Sequence, residues 1–287
     1  MKQKNKAILC IIASAFCFTW MNIFVRLAGD LPSIQKSFFR NFIAAIVAAV
    51  ILWRSGEGFH PQKRNLPMLL ARSTLGTIGI LCNFYAVDHL LLANASMLNK
   101  MSPFFVLIFS LILLKEKLTG FQLGVVVVAF AGSMFVIKPV PGNMALVPSL
   151  IGFTSGLASG MAYTLVRMLG LRGEKGPVIV LFFSAFSCLV VLPMAIIRGE
   201  PMTLRQVLML IGAGVAAAGG QFGVTAAYSY APAREVSVFD YSQVLFSALF
   251  GLMLFGDHPD IWSFLGYALI IGAAAALFFY NNRKAAD

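Results

Sequence analysis

Apolar runs of about twenty residues alternate with short polar breaks along the whole chain. The runs predict helices over 7–28, 34–53, 67–88, 93–114, 119–138, 148–170, 177–197, 205–230, 235–256 and 260–281. Each is close to the length needed to cross a hydrocarbon layer, about 20 residues at 1.5 Å per residue. Pro67, Pro148 and Pro177 stand near predicted starts, where the missing N–H of proline costs nothing. Gly56-Glu57-Gly58 and Arg172-Gly173-Glu174-Lys175-Gly176 mark turns. The expected fold class is an all-α membrane protein with ten transmembrane helices, and the lipid bilayer is its solvent.

Composition supports a bilayer over an aqueous core. Of the 287 residues, 59% are hydrophobic and only 11% are charged, whereas soluble domains carry about 25% charged residues. The net charge of +11 does not indicate nucleic acid, because Lys and Arg sit in short inter-helix loops and form no basic stripe with interleaved aromatics. Cys10, Cys17, Cys82 and Cys188 lie in apolar runs without CxxC or Cys/His spacing, and read as small buried hydrophobes. His60, His89 and His258 lack ligand spacing, and no GxSxG, HExxH or phosphate loop occurs. The sequence therefore implies no enzyme, metal or cofactor. Lys2, Lys4 and Lys6 precede a first apolar run too long for a signal-peptide core, so that run is expected to be a retained helix.

The basic loop residues set an orientation. With the N-terminus in the cytoplasm, thirteen Lys and Arg fall on the inner side and four (Lys36, Lys138, Arg198 and Arg205) on the outer side. This positive-inside bias predicts a multi-pass protein of the cytoplasmic, or inner, membrane with both termini cytoplasmic. A common offset of 141 joins Met101-Ser102-Pro103-Phe104 ahead of Lys115-Glu116 with Tyr241-Ser242-Gln243-Val244 ahead of Gly256-Asp257. The same offset joins Phe24-Val25-Arg26-Leu27 with Leu165-Val166-Arg167-Met168. Two five-helix units, 1–141 and 142–287, follow from it. Five is odd, so the second unit enters the membrane from the opposite face and the repeat is inverted.

Polar residues inside the apolar runs are the candidate chemistry. Lys100 lies about two turns into the fourth helix, where a charge costs on the order of 3 kcal/mol. Pro103 cannot donate to the carbonyl of Asn99, which leaves a polar nest beside Lys100. Asp240 stands inside the ninth helix, and the 141 offset sets Asp240 against Asn99 and Tyr241 against Lys100. Lys100 and Asp240 are expected to be close, with substrate or a coupling proton competing for one of them; a salt bridge locking the two helices is the rival reading. Trp20, Asn22, Asn83, Tyr85, Tyr163, Gln221, Tyr228 and Gln243 supply further hydrogen-bonding and aromatic groups toward a cavity for a small organic substrate. Gly152, Gly156 and Gly160 form one small-residue face, and Gly212, Ala216 and Gly220 another, beside Gly219 and Gly223. Arg26, Arg40, Arg72 and Arg167 read as headgroup-seeking residues near helix ends, with Arg40 the best exception. Glu116 and Asp257 are expected to cap or pair locally.

These residues resemble the drug/metabolite transporter superfamily, specifically its EamA-type members. The resemblance rests on Arg40-Asn41-Phe42, on Phe84-Tyr85-Ala86 followed by Ala93-Asn94-Ala95-Ser96, and on Pro103, Glu116, Gln122-Leu123-Gly124 and Gly132. In the second unit Tyr230-Ala231-Pro232-Ala233 and Gly256-Asp257 match, with Asp257 where Glu is commoner. Gln243-Val244 departs from the pattern by replacing the usual Pro region. The resemblance implies a ten-helix bundle with a central cavity and alternating access. It implies a secondary transporter of an amino-acid-like or other amphiphilic metabolite, working as an exporter. The alternative it leaves open is an importer of a cofactor-like or nucleoside-like metabolite.

Overall fold

A computed structural model describes residues 2–56, 58–113, 119–138, 144–230 and 237–283. Among them every regular element is helical. In chain order these are α1 (Lys2–Leu27), α2 (Ser33–Ser55), α3 (Leu66–His89), α4 (Leu92–Asn99), α5 (Ser102–Leu113) and α6 (Gly120–Ile137). They continue with α7 (Leu146–Leu171), α8 (Gly176–Ile197), α9 (Leu204–Tyr230), α10 (Ser242–Phe255) and α11 (Ile261–Arg283). Single 3-10 turns cover Lys63–Asn65 and Ser237–Tyr241. A backbone in hydrocarbon must satisfy its own N–H and C=O groups, and helices do so within one segment.

Nine stretches among the described residues are long and apolar enough to span, with α4 and α5 together forming one, Leu92–Leu113. The ninth predicted helix is the exception. Its apolar helical part, Phe239–Phe255, is shorter than the others and opens on a 3-10 turn. Local sequence explains several boundaries. Thr119 and Gln122 cap the start of α6 reciprocally. Gly256, at φ 66°, ends α10 in the left-handed region and turns Asp257 back toward Gly251, whose carbonyl accepts the Asp257 N–H.

The main packing partners are α1 with α9, α3 with α7, α2 with α8 and α9, and α6 with α11. The broken pair α4 and α5 lies against α7, and α10 lies against α1 and α4. Both glycine faces sit at these contacts. A Cβ on Gly156 would stand 2.5 Å from the Leu98 carbonyl oxygen, and one on Gly160 would stand 2.5 Å from the Phe105 Cβ. On α9, a Cβ on Gly220 would meet the Phe18 ring at 2.7 Å and one on Gly223 would meet the Cys10 carbonyl at 3.1 Å. Backbone approach of this kind replaces the hydrophobic drive that is missing between helices in lipid. The outward faces carry Leu189, Ile196, Leu249, Met253 and Phe279, all exposed, as suits contact with acyl chains.

Ion pairs tie one end of the bundle together. Asp257 takes both guanidinium nitrogens of Arg26, at 2.6 and 3.0 Å, and also the Leu92 N–H at 2.8 Å. Lys36 Nζ bonds Asp88 at 2.6 Å, and Lys138 Nζ bonds Asp260 at 2.6 Å. At the same end Gln35 exchanges two hydrogen bonds with the backbone of Glu200, and Gln206 donates to the Ala28 carbonyl. Among the described residues the opposite end has a smaller junction, in which Glu174 accepts from Asn65 and from the Gln62 N–H. Two expectations are corrected here. Arg26 does not reach for headgroups but pairs with Asp257 and lies 4.2 Å from the Phe255 ring centroid. Asp257 does not pair locally, since its partners are 231 and 165 positions away. Glu116 lies outside the described residues.

Candidate functional site

The site begins with a helix break. In a continuous helix the residue at 103 would donate to the Asn99 carbonyl, and proline has no N–H to give. The chain responds by ending α4 at Asn99 and restarting at Ser102, with Met101 N–H turning tightly to the Leu98 carbonyl. The carbonyl that receives a side-chain donor is that of Lys100, one residue beyond the expected position. The Tyr241 hydroxyl donates to it at 2.9 Å. Gly156 makes room for the break by bringing α7 onto the Leu98 and Asn99 carbonyls.

Lys100 Nζ bonds Asp240 Oδ2 at 2.6 Å, and both residues are buried. This joins the break in the first half of the chain to the 3-10 turn that opens α10. Ser96 and Ser247 share a hydrogen bond of 2.7 Å further along the same seam. The second carboxylate oxygen of Asp240, Oδ1, is buried with no hydrogen-bond partner. Taking each charge out of water costs several kcal/mol, and their mutual attraction offsets this only while both are present.

Beside Lys100 is a cavity of about 80 Å³. It has room for several waters but is smaller than a filled ligand pocket, typically some 300 Å³ or more. Lys100, Asn99, Asn83, Tyr163, Gln221 and Gln243 line it, so six of the predicted site residues converge from α3, α4, α7, α9, α10 and the break. Asp240 stands behind Lys100, and Asn22 behind Asn83, which donates to it at 3.2 Å. Asn99 donates to Ser155 Oγ at 3.1 Å. Tyr241 serves the break and does not line the cavity.

Two of the predicted residues fall elsewhere. Trp20 belongs to an aromatic cluster with Phe24 and Phe250, at centroid distances of 5.6 and 5.4 Å. Tyr85 stacks on His89 at 4.1 Å, one turn away on α3. The Tyr228 side chain lies outside the described part of the structure.

The cavity also holds two arginines. Arg40 and Arg72 line it, with only 4% and 3% of their surfaces exposed. Arg72 therefore does not extend to headgroups as its predicted place near a helix end suggested; Arg167 is exposed, consistent with that role. The Arg72 guanidinium carbon is 3.7 Å from the Phe183 ring centroid and that of Arg40 is 5.7 Å from it, which gives each some cation–π stabilisation. Arg40 donates to the Asn41 side-chain oxygen at 2.5 Å, and Asn41 is itself held by Ser37 and Ser187. The sequence did contain a signal for Arg72. Arg72, Gly76, Gly79 and Asn83 are spaced four, three and four apart, which places them on one helix face. All four line the cavity.

The comparisons with known proteins agree with this architecture. The model of the EamA-like transporter family matches residues 5–138 and again 147–279. The chain is 32% identical over 276 residues to the pseudopaline exporter CntI of Pseudomonas aeruginosa, covering 96% of each. It is 27% identical over 282 residues to a riboflavin transporter of Brucella anthropi, covering 93% of this chain and 96% of that protein. A solved crystal structure superposes with a TM-score of 0.68 at 16% identity, covering 96% and 98% of the two chains, and so shares the fold. With both halves matched and a relative above 30% identity along nearly its whole length, the chain belongs to the EamA-like transporter family of the drug/metabolite transporter superfamily, as a multi-span membrane protein.

Proposed function

We propose that this chain is a secondary transporter that moves a small organic metabolite outward across the cytoplasmic membrane by alternating access. One observation carries the reading. A cavity lined by charged and amide side chains from both halves of the chain lies where a charged, broken helix meets the start of α10. A charged nest inside apolar helices is expensive, so its presence there points to a functional role.

Alternating access calls for two halves related by inversion, 1–141 and 142–287. The packing supports this relation. Exchanging each helix of one half for its counterpart turns α1–α9 into α7–α3 and α2–α9 into α8–α3, and leaves α2–α8 and α6–α11 unchanged. All of these contacts occur. Residues 100 and 241, one repeat offset apart, touch each other. With both termini cytoplasmic, as the loop charges favour, Arg26–Asp257, Lys36–Asp88 and Lys138–Asp260 all lie on the outer side. They would then hold the outer entrance closed, while among the described residues the inner side carries the smaller junction of Glu174 with Asn65 and Gln62.

Outward transport draws support from the likeness to a pseudopaline exporter. The second reading, an importer of a cofactor-like solute, draws on the likeness to a riboflavin transporter. Asp240 is the natural carrier if a proton is coupled, because a proton there would remove the charge that holds Lys100 and free it for solute. The test is flux of labelled metabolites in proteoliposomes of known orientation. Accumulation in inside-out vesicles, lost in Lys100→Met, supports export through this cavity. Solute entry only into right-side-out vesicles favours the importer, and absence of flux for every solute offered rejects transport.

A further inference from the structure

We infer that the solute is an organic dianion and that Arg40 and Arg72 hold its two negative charges beside the Phe183 ring. This deepens the transporter reading and rests on it. The cavity contains three cations, Arg40, Arg72 and Lys100, but among the described residues the only carboxylate bonded to any of them is Asp240, on Lys100. Among the described residues neither arginine has an ion-pair partner. Arg40 makes its one side-chain hydrogen bond to the neutral amide of Asn41. Arg40 Nε and both Nε and Nη1 of Arg72 have no hydrogen-bond partner although they are buried.

A guanidinium does not relieve such a position by losing its proton in the way a lysine does. Buried charge without a partner is strongly unfavourable, and waters in a cavity this small restore only part of the lost hydration. Phe183 stabilises a cation over its face but brings no countercharge. The two charges left over define what the site lacks, namely two negative groups on one molecule.

The surroundings fit an organic skeleton between those groups. Phe18, Met21, Ile80 and Phe84 give apolar wall, and the amides of Asn83 and Gln243 give donors and acceptors. The arginine pair is also built into the fold. A Cβ on Gly76 would stand 2.7 Å from the Phe183 ring and 3.0 Å from Arg72 Nη1, so glycine one turn after Arg72 is what lets the guanidinium lie on the ring. The planar guanidinium fork suits a carboxylate bidentately, and suits phosphate as well.

The charge series on purified, detergent-solubilised full-length protein tests this by calorimetry. The probes are adipate, hexanoate, adipamide, 1,6-diaminohexane, glycerol phosphate and inorganic phosphate. Adipate is expected to bind at least tenfold tighter than hexanoate, with no binding of adipamide. Arg40→Gln and Arg72→Gln are each expected to weaken adipate at least tenfold and to remove its advantage over hexanoate, while Arg72→Lys keeps a preference for two charges. Tighter binding of glycerol phosphate than adipate, weakened in both glutamine variants, supports the dianion and assigns the charge to a phosphoryl group.

Equal binding of adipamide or the diamine overturns the inference. So does inorganic phosphate binding as well as either organic anion, adipate binding unchanged in both variants, or failure of every anion to bind at millimolar concentration. The wild-type series needs no variant to fold. Failure of the transporter reading looks different, since it requires that no solute of any charge cross a bilayer, whereas a neutral or cationic solute that does cross defeats only the dianion.

Discussion

Removing one member of the Lys100–Asp240 pair should cost far more than removing both. The ammonium and carboxylate are 2.6 Å apart and both are buried, so each single replacement leaves the other charge unmatched. Such losses are typically about 3–5 kcal/mol. A Coulomb estimate is of similar size, since unit charges about 4 Å apart attract by about 4 kcal/mol at an effective dielectric near 20. Lys100→Met and Asp240→Asn should therefore each lower the melting temperature in detergent by several degrees, roughly 2 °C per kcal/mol for a large domain. The double replacement removes both charges and should recover most of the loss, to within about 1.5 kcal/mol of the parent. Thermal melting of the four proteins, followed by fluorescence, gives the coupling energy directly. If the double variant loses the sum of the single losses, the pair is not coupled and the account of the site is wrong. The same four proteins separate the two roles of the pair. A stable double variant that transports normally makes the pair a helix lock, and a stable one that transports nothing makes it part of the solute path.

Three further outcomes follow from the geometry. Gly156→Ala should destabilise by about 1–3 kcal/mol through overpacking, because its Cβ would stand 2.5 Å from the Leu98 carbonyl, whereas Gly124→Ala in open space should be neutral or slightly stabilising; melting curves check both. Asp257→Ala should loosen the ion-paired end of the bundle, and, on the proposed orientation, an engineered thiol at Ser159→Cys, in the lining of the cavity beside Lys100, should then react faster with an impermeant maleimide from the outside; unchanged reactivity would count against closure at that end. For Asp260, burial alone would raise the carboxyl, but hydrogen bonds from Lys138 and Ser263 outweigh it and hold it at about 2, below the ordinary carboxylate value of 3.8. The folded value is the lower one, so the stabilisation is present above about pH 4 and fades as pH falls toward 2. The pair is largely exposed and screened, which limits the effect to under about 1 kcal/mol. Asp260→Asn should accordingly flatten the acid limb of the melting profile slightly and lower stability near neutral pH by no more than that.

The span positions were legible because apolar runs and bilayer thickness leave few alternatives. The nearness of Lys100 and Asp240 was legible for a related reason, since two opposite charges in apolar helices are each other's cheapest solution. The break at Lys100 followed from Pro103, although the chain yields one residue later than counting from the proline suggested. The place of Arg72 near a helix start masks its role, and its helical register with Gly76, Gly79 and Asn83 is the better guide. The Arg26–Asp257 pair, 231 residues apart, had no local signal at all. Trp20 and Tyr85 show the limit of residue type as a guide, because an aromatic ring inside a membrane helix finds other rings as readily as a cavity.

The touch between the Tyr241 hydroxyl and the Lys100 carbonyl has a consequence for ancestry. Were the halves once separate, identical chains assembled head to tail across the bilayer, each copy's position 100 would have faced its own twin. Lysine at both would have set two ammonium groups near one another in oil, a mutual repulsion relieved only if one of them gave up its proton. Two unlike halves are needed before one can keep a cation while the neighbour of the other becomes an acid. On that hypothesis the internal ion pair requires two unlike halves, and Tyr241→Lys, which sets a second ammonium near Lys100, should destabilise the fold.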